Sequence, residues 1–168
     1  MKRYRFWGIF LSCALLSLRP APAAENIGPK GFVLAGTEAR YGPPDRTLAD
    51  GSIFDYMDGG GIVYLDHGFR ELVHNEYLDS RGRRITFDRF FMETPAQALA
   101  ALADARIAPE GGTPLARGAD GRWYRFPPDY FIYLVLDRSL IYLHVDDDAL
   151  AEILDQFAAD IRASAKEE

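Results

Sequence analysis

Outside one helical segment, the apolar residues between Phe69 and Val145 recur mainly at every second position, in runs broken by turn residues, and that alternation demands a β-sheet. Phe69 to Asp79 and Arg84 to Met92 flank Ser80-Arg81-Gly82-Arg83. The second run puts Ile85, Phe87, Arg89 and Phe91 on one side and Thr86, Asp88, Phe90 and Met92 on the other, which reads as one arm of a β-hairpin. Trp123 to Phe126, Tyr130 to Leu136 and Leu140 to Val145 read as three more strands, separated by Pro127-Pro128-Asp129 and Asp137-Arg138-Ser139. Phe131 to Leu136 is apolar at every position, the pattern of a central strand covered on both faces.

Three helices are expected around these strands. Ser52 caps the first, with Asp55 three positions on and Phe54, Met57, Gly61 and Leu65 at helical spacing. Gly68 followed by Phe69 has the form of its C-cap, so the spacing predicts a helix of about four turns. Gly59, Gly60 and Gly61 stand in its middle, where each glycine costs roughly 1 kcal/mol relative to alanine. Close backbone packing is the expected compensation. A phosphate-cradling loop is disfavoured, because Asp55, Asp58 and Asp66 surround the glycines and no neighbour is basic. The alternating ligand spacing of a calcium loop is also missing there. Thr94-Pro95-Ala96-Gln97 starts a second helix that runs to about Ile107 with Ala98, Leu99, Leu102 and Ile107 on its apolar face. Asp146, Asp147 and Asp148 precede the third, whose Leu150, Ile153, Leu154, Phe157 and Ile161 form a buried stripe.

Strands that come in runs, without βαβ alternation, decide for an α+β fold: an antiparallel sheet of about five strands with three packed helices. The domain is expected over residues 51–164, behind an extended Gly/Pro-rich lead-in at 24–50 and ahead of a charged tail at 165–168. In the lead-in, Phe32-Val33-Leu34 has the makings of an edge strand, and Pro43-Pro44 stops regular structure after Tyr41.

Residues 1–23 read as a signal peptide. Lys2, Arg3 and Arg5 form a basic head, Phe6 to Leu18 an apolar run, and Ala21-Pro22-Ala23 a small-residue cleavage site. The run of 13 residues is shorter than the roughly 20 that a membrane span requires. Cys13, the only cysteine, leaves lipidation as a second form of anchoring, although Phe10-Leu11-Ser12 fits such processing poorly. Cleavage after Ala23 leaves 145 residues without a thiol, which excludes disulfides, cysteine nucleophiles and cysteine-ligated metals. It also removes four basic residues, so the formal charge goes from −6 to −10, against nucleic acid or an anionic membrane as partner. A periplasmic or secreted protein with no membrane span after cleavage is expected.

No complete catalytic constellation is visible. Asp55, Asp58 and Glu76 are the carboxylates available for acid–base work. His67, His74 and His144 are the only histidines; His74 and His144 fall on strands, and if those strands adjoin, the two rings are candidates for a metal site. Trp123 and Tyr124, beside a Gly-rich loop, are the candidate binding aromatics, with Asp55 and Asp58 as further candidate ligand contacts.

Phe54-Asp55-Tyr56-Met57-Asp58-Gly59-Gly60, with Tyr64, Gly68, Phe69, Glu76-Tyr77 and the Thr94-Pro95 helix start, resembles an exported bacterial domain family of unknown function, number six-five-nine-nine. The resemblance covers roughly Ile53 to Ile107. In that family Asn is usual where Asp58 stands and alanines where Gly60 and Gly61 stand, which fits small-residue packing. It implies the domain assignment and carries over no activity, cofactor or partner. The expected function is therefore a non-catalytic exported domain that binds a small ligand or another envelope protein, without a cofactor. The alternative is a metal-assisted or carboxylate hydrolase using His74 and His144.

Overall fold

The computed structural model describes residues 28–115 and 120–165; the expected signal peptide and nearly all of the charged tail lie outside them. Strands β1 Val33–Leu34, β2 Ala39–Tyr41, β3 Phe69–Leu78, β4 Arg84–Met92, β5 Thr113–Pro114, β6 Gly121–Phe126, β7 Asp129–Leu136 and β8 Ser139–Val145 form one sheet. Its order is β1-β3-β4-β8-β7-β6-β5, with β2 also on the outer edge of β3, and every pairing is antiparallel. The α+β class holds, but the sheet has eight strands where about five were expected. The surplus is short edge pieces. β2 and β5 hold three and two residues, too short for a period of two to show in the sequence.

Period two sends each central strand to both sides of the sheet. On one side Ile132, Leu134, Ile141, Leu143 and Val145 lie under α4, Ala151–Ser164, which turns Leu154, Phe157 and Ile161 to them. Asp147 accepts from the Ala149 N–H at 3.0 Å and caps the short 3-10 turn that leads into this helix, whereas α4 itself starts from Leu150 without a side-chain cap, so the aspartate run caps the turn and not, as expected, the helix. On the other side Leu72, Phe90, Met92 and Leu140 lie under the remaining helices. β7 is covered by α4 on one face, through Ile132 and Leu134, but on the other Tyr133 is buried while Phe131 and Val135 are only half-buried, so the expected cover of both faces is met in part.

The first helix is not continuous. It divides into α1, Ile53–Met57, and α2, Gly61–Asp66, joined by a 3-10 turn at Asp58–Gly60. Asp55 accepts from the Ser52 N–H at 2.7 Å and from the Ser52 hydroxyl at 2.9 Å, which anchors the start. Asp58 then takes φ 48°, ψ −139°, a backbone state that L side chains rarely adopt, and the helix ends. The glycine triplet therefore sits at a break and not inside four regular turns. Its packing role belongs to one member: a Cβ on Gly61 would lie 2.9 Å from Ile53 Cγ2, whereas Gly59 and Gly60 face open space. Close packing as the explanation for the whole triplet is thus corrected. Gly68, at φ 71°, follows α2 as expected of a helix-ending glycine.

α3, Pro95–Ala103, starts at Thr94 as expected, and the Gln97 N–H donates to Thr94 Oγ1 at 3.3 Å. It stops short of Ile107 because Asp104 turns extended, yet Ile107 is still buried. Leu99, assigned to the apolar face, is exposed; Ala98, Ala101 and Leu102 make that face. No helix among the described residues is long and apolar enough to cross a membrane.

Candidate functional site

Successive cross-strand rows on the α1–α3 side of the sheet differ sharply in cover. The row Leu72, Phe90, Leu140 is fully buried. The next row is His74, Asp88, Tyr142 and Tyr133, and the one after it Glu76, Thr86, His144 and Phe131. Side-chain exposure rises along these rows, from 4% at Asp88 and 19% at His74 to 27% at His144 and 34% at Glu76. Phe126, at the corner beyond Phe131, is exposed. The helices therefore cover half of this face and leave an aromatic and polar half open.

At the boundary between the two halves lies a three-residue network. Asp88 Oδ1 is 2.7 Å from His74 Nδ1, and the Tyr56 hydroxyl donates to Asp88 Oδ2 at 2.9 Å. The same hydroxyl is 3.1 Å from His74 Nδ1. The Tyr56 ring packs against His74 at 4.9 Å and Tyr41 at 5.3 Å between centroids. Strand pairing puts His74 opposite Asp88, and α1 brings Tyr56 down onto them. Burial of the His74 ring opposes its charge, but the hydrogen bond and the negative charge of Asp88 outweigh that effect, and its pKa rises above the ordinary 6.5. Tyr56, Tyr64, Tyr133 and Tyr142 are all pushed far up, first by burial and then by nearby groups that include Asp88, so they remain neutral hydroxyls. A nearly inaccessible carboxylate thus orders one imidazole and one phenol at the edge of an open aromatic surface.

The expected metal pair does not converge. His74 and His144 face the same side, but β4 lies between their strands and the two stand in successive rows, which separates them by more than two strand spacings, over roughly 10 Å. Each has its own carboxylate, since His144 Nε2 is 2.8 Å from Asp129 Oδ1. His67 is elsewhere, with Nε2 2.9 Å from Asp104 Oδ2. Among the described residues no group of three or more His, Cys, Asp or Glu side chains is placed to hold a metal ion.

The other candidates separate as well. Asp55 is the helix anchor, its carboxyl held below the usual range by the Ser52 hydrogen bonds. Asp58 is exposed at the strained break. Trp123 and Tyr124 are adjacent on β6 and so face opposite sides of the sheet. Tyr124 is buried, stacked on Phe131 at 4.9 Å, its hydroxyl donating to the Pro109 carbonyl at 2.6 Å. Trp123 lies across the sheet, beside the start of α4. They cannot form one binding pair.

Sequence reasoning missed Asp88 and Tyr56 as site residues. A signal for Asp88 was present: it is the one carboxylate on the side of β4 that also carries Phe90 and Met92, and closing the hairpin around Arg81 sets it opposite His74. Nothing comparable marks Tyr56. Compared with known proteins, the chain matches no protein-family model, no curated protein and no solved structure.

Proposed function

We propose that this is an exported, non-catalytic binding domain that holds a small ligand or another envelope protein on the open half of the sheet face. The expected leader supplies the export part of this reading, and the resemblance to the exported family goes with it. One observation carries the binding part: Asp88, almost inaccessible, fixes His74 and Tyr56 beside a row of half-buried Tyr142, Phe131 and His144. Polar groups held in advance of binding lose little freedom when a ligand arrives, and aromatic rings offer large contact area at low conformational cost.

The His74–Asp88 pair is also what favours the hydrolase alternative, because an aspartate that orients an imidazole is the support a general base needs. No serine or threonine hydroxyl is hydrogen-bonded to His74 among the described residues, which weighs toward binding.

The test is the unfolding midpoint of the full chain against sugars, small acids, amino acids and divalent metals. A ligand at about 100 times its Kd adds about 2.7 kcal/mol. A shift that disappears in Tyr142→Ala and His74→Gln supports the sheet-face site, while a shift untouched by both variants places binding elsewhere. Hydrolysis of chromogenic esters or glycosides that is lost in His74→Gln would instead establish the enzyme.

A further inference from the structure

Across the sheet from that face, independent of the reading above, Trp123 on β6 and Tyr130 on β7 form the aromatic wall of a cleft of about 580 Å³. Their ring centroids are 5.7 Å apart. The opposite wall is the entry into α4, with Asp148, Ala149, Ala151, Glu152 and Asp155. Arg125 closes one end against Asp148, with Nε 2.7 Å from Oδ1, so those two charges cancel. Asp155 accepts from the Tyr130 hydroxyl at 2.7 Å, and neither Asp155 nor Glu152 has a cationic partner among the described residues. Glu152 and Asp155 are three apart on one helix face, an arrangement that repels unless a cation intervenes.

We propose that this cleft binds a small organic cation, an alkyl diamine or polyamine whose ammonium group lies between Glu152, Asp155 and the Trp123 ring while its hydrocarbon stem lies along the aromatic wall. Tryptophan is the strongest aromatic partner for a cation, and two unpaired carboxylates supply the complementary charge. The cleft has the size of a small-ligand site. Its aromatic wall offers only the Tyr130 hydroxyl oxygen, already hydrogen-bonded to Asp155, so it is poorly suited to calcium or magnesium, which require a shell of oxygens.

The experiment is a titration of the full chain carrying Trp7→Phe, in which Trp123 is the sole tryptophan, with cadaverine, with the diol of the same length and with magnesium chloride. A saturable change in Trp123 emission is expected with cadaverine alone. Affinity should fall about tenfold in Glu152→Gln/Asp155→Asn, the size expected for losing a partly exposed charge contact. Calorimetry on Trp123→Leu should show a similar loss. Both carboxylates are exposed, their mutual repulsion is removed, and the amide oxygen of Asp155→Asn still accepts from Tyr130, so the double variant should unfold at a midpoint no lower than that of the wild type. An equal response to the diol or to magnesium, no saturation into the millimolar range, or an unchanged affinity in the double variant would each overturn the proposal.

Discussion

At Gly61 an added Cβ would press on Ile53 and Phe54, both on the preceding helical segment, whereas at Gly60 it would meet nothing. Gly60 has φ −63° and ψ −24°, which alanine adopts freely. Gly61→Val should therefore destabilise by about 1–3 kcal/mol through overpacking, and Gly60→Ala should be neutral or stabilising by up to about 1 kcal/mol. Denaturant midpoints of the two variants check both signs. Asp88 is the other decisive residue. Asp88→Ala removes the acceptor of both Tyr56 and His74, leaving them only each other at 3.1 Å, and should cost about 1–3 kcal/mol, with Asp88→Asn milder because the amide oxygen still accepts from Tyr56. The His74 pair also has a signed pH dependence. Its folded-state pKa is raised, so its contribution is complete below the ordinary 6.5 and is lost as pH rises through the higher folded value. The stability gap between wild type and His74→Gln should narrow as the buffer is moved from the acid to the alkaline side of 6.5.

Helix starts were legible where they rest on local chemistry. Thr94, Pro95 and Gln97 announce α3, and Thr94→Ala should cost about 1 kcal/mol in equilibrium unfolding because the Gln97 N–H loses its side-chain acceptor and keeps only the Thr94 carbonyl at 3.2 Å. Helix interiors were less legible. Phe54, Met57, Gly61 and Leu65 keep helical spacing across the 3-10 turn at Asp58–Gly60, yet the buried positions of the two segments are Ile53, Gly61 and Tyr64. The stripe on α4 was read correctly, since it needs only one partner surface. Phe157, 1% exposed and packed on Tyr77 and Phe87, is its anchor. Phe157→Ala should destabilise by about 3–5 kcal/mol in a denaturant titration.

Across the whole molecule, order should follow the position of a strand in the sheet. β4, β8 and β7 have neighbours on both edges, while β1 and β5 are two-residue edge strands. Amide hydrogen exchange should be slowest in the first group and fastest in the second. The candidate site belongs to this scale, because Tyr56, His74, Asp88 and Tyr142 come from a helix and three different strands. Its one local component is the hairpin register that faces His74 with Asp88. The separation of His74 from His144 needs the knowledge that β4 lies between β3 and β8. The division of Trp123 from Tyr124 was already contained in the period of two, and pairing them overlooked it.

What the amino-acid sequence determined by itself is what short stretches decide alone: the alternation that makes β3, β4, β7 and β8, the hairpin that joins β3 to β4, the caps of α1 and α3, and the stripe of α4. Backbone sterics and neighbouring side chains suffice for those choices. Only the tertiary structure decided that Tyr56 docks on Asp88, that the helices cover half of one face, and that Trp123 looks into a separate cleft. Each of these depends on segments far apart in the chain meeting to bury surface, and no local pattern records which segments meet.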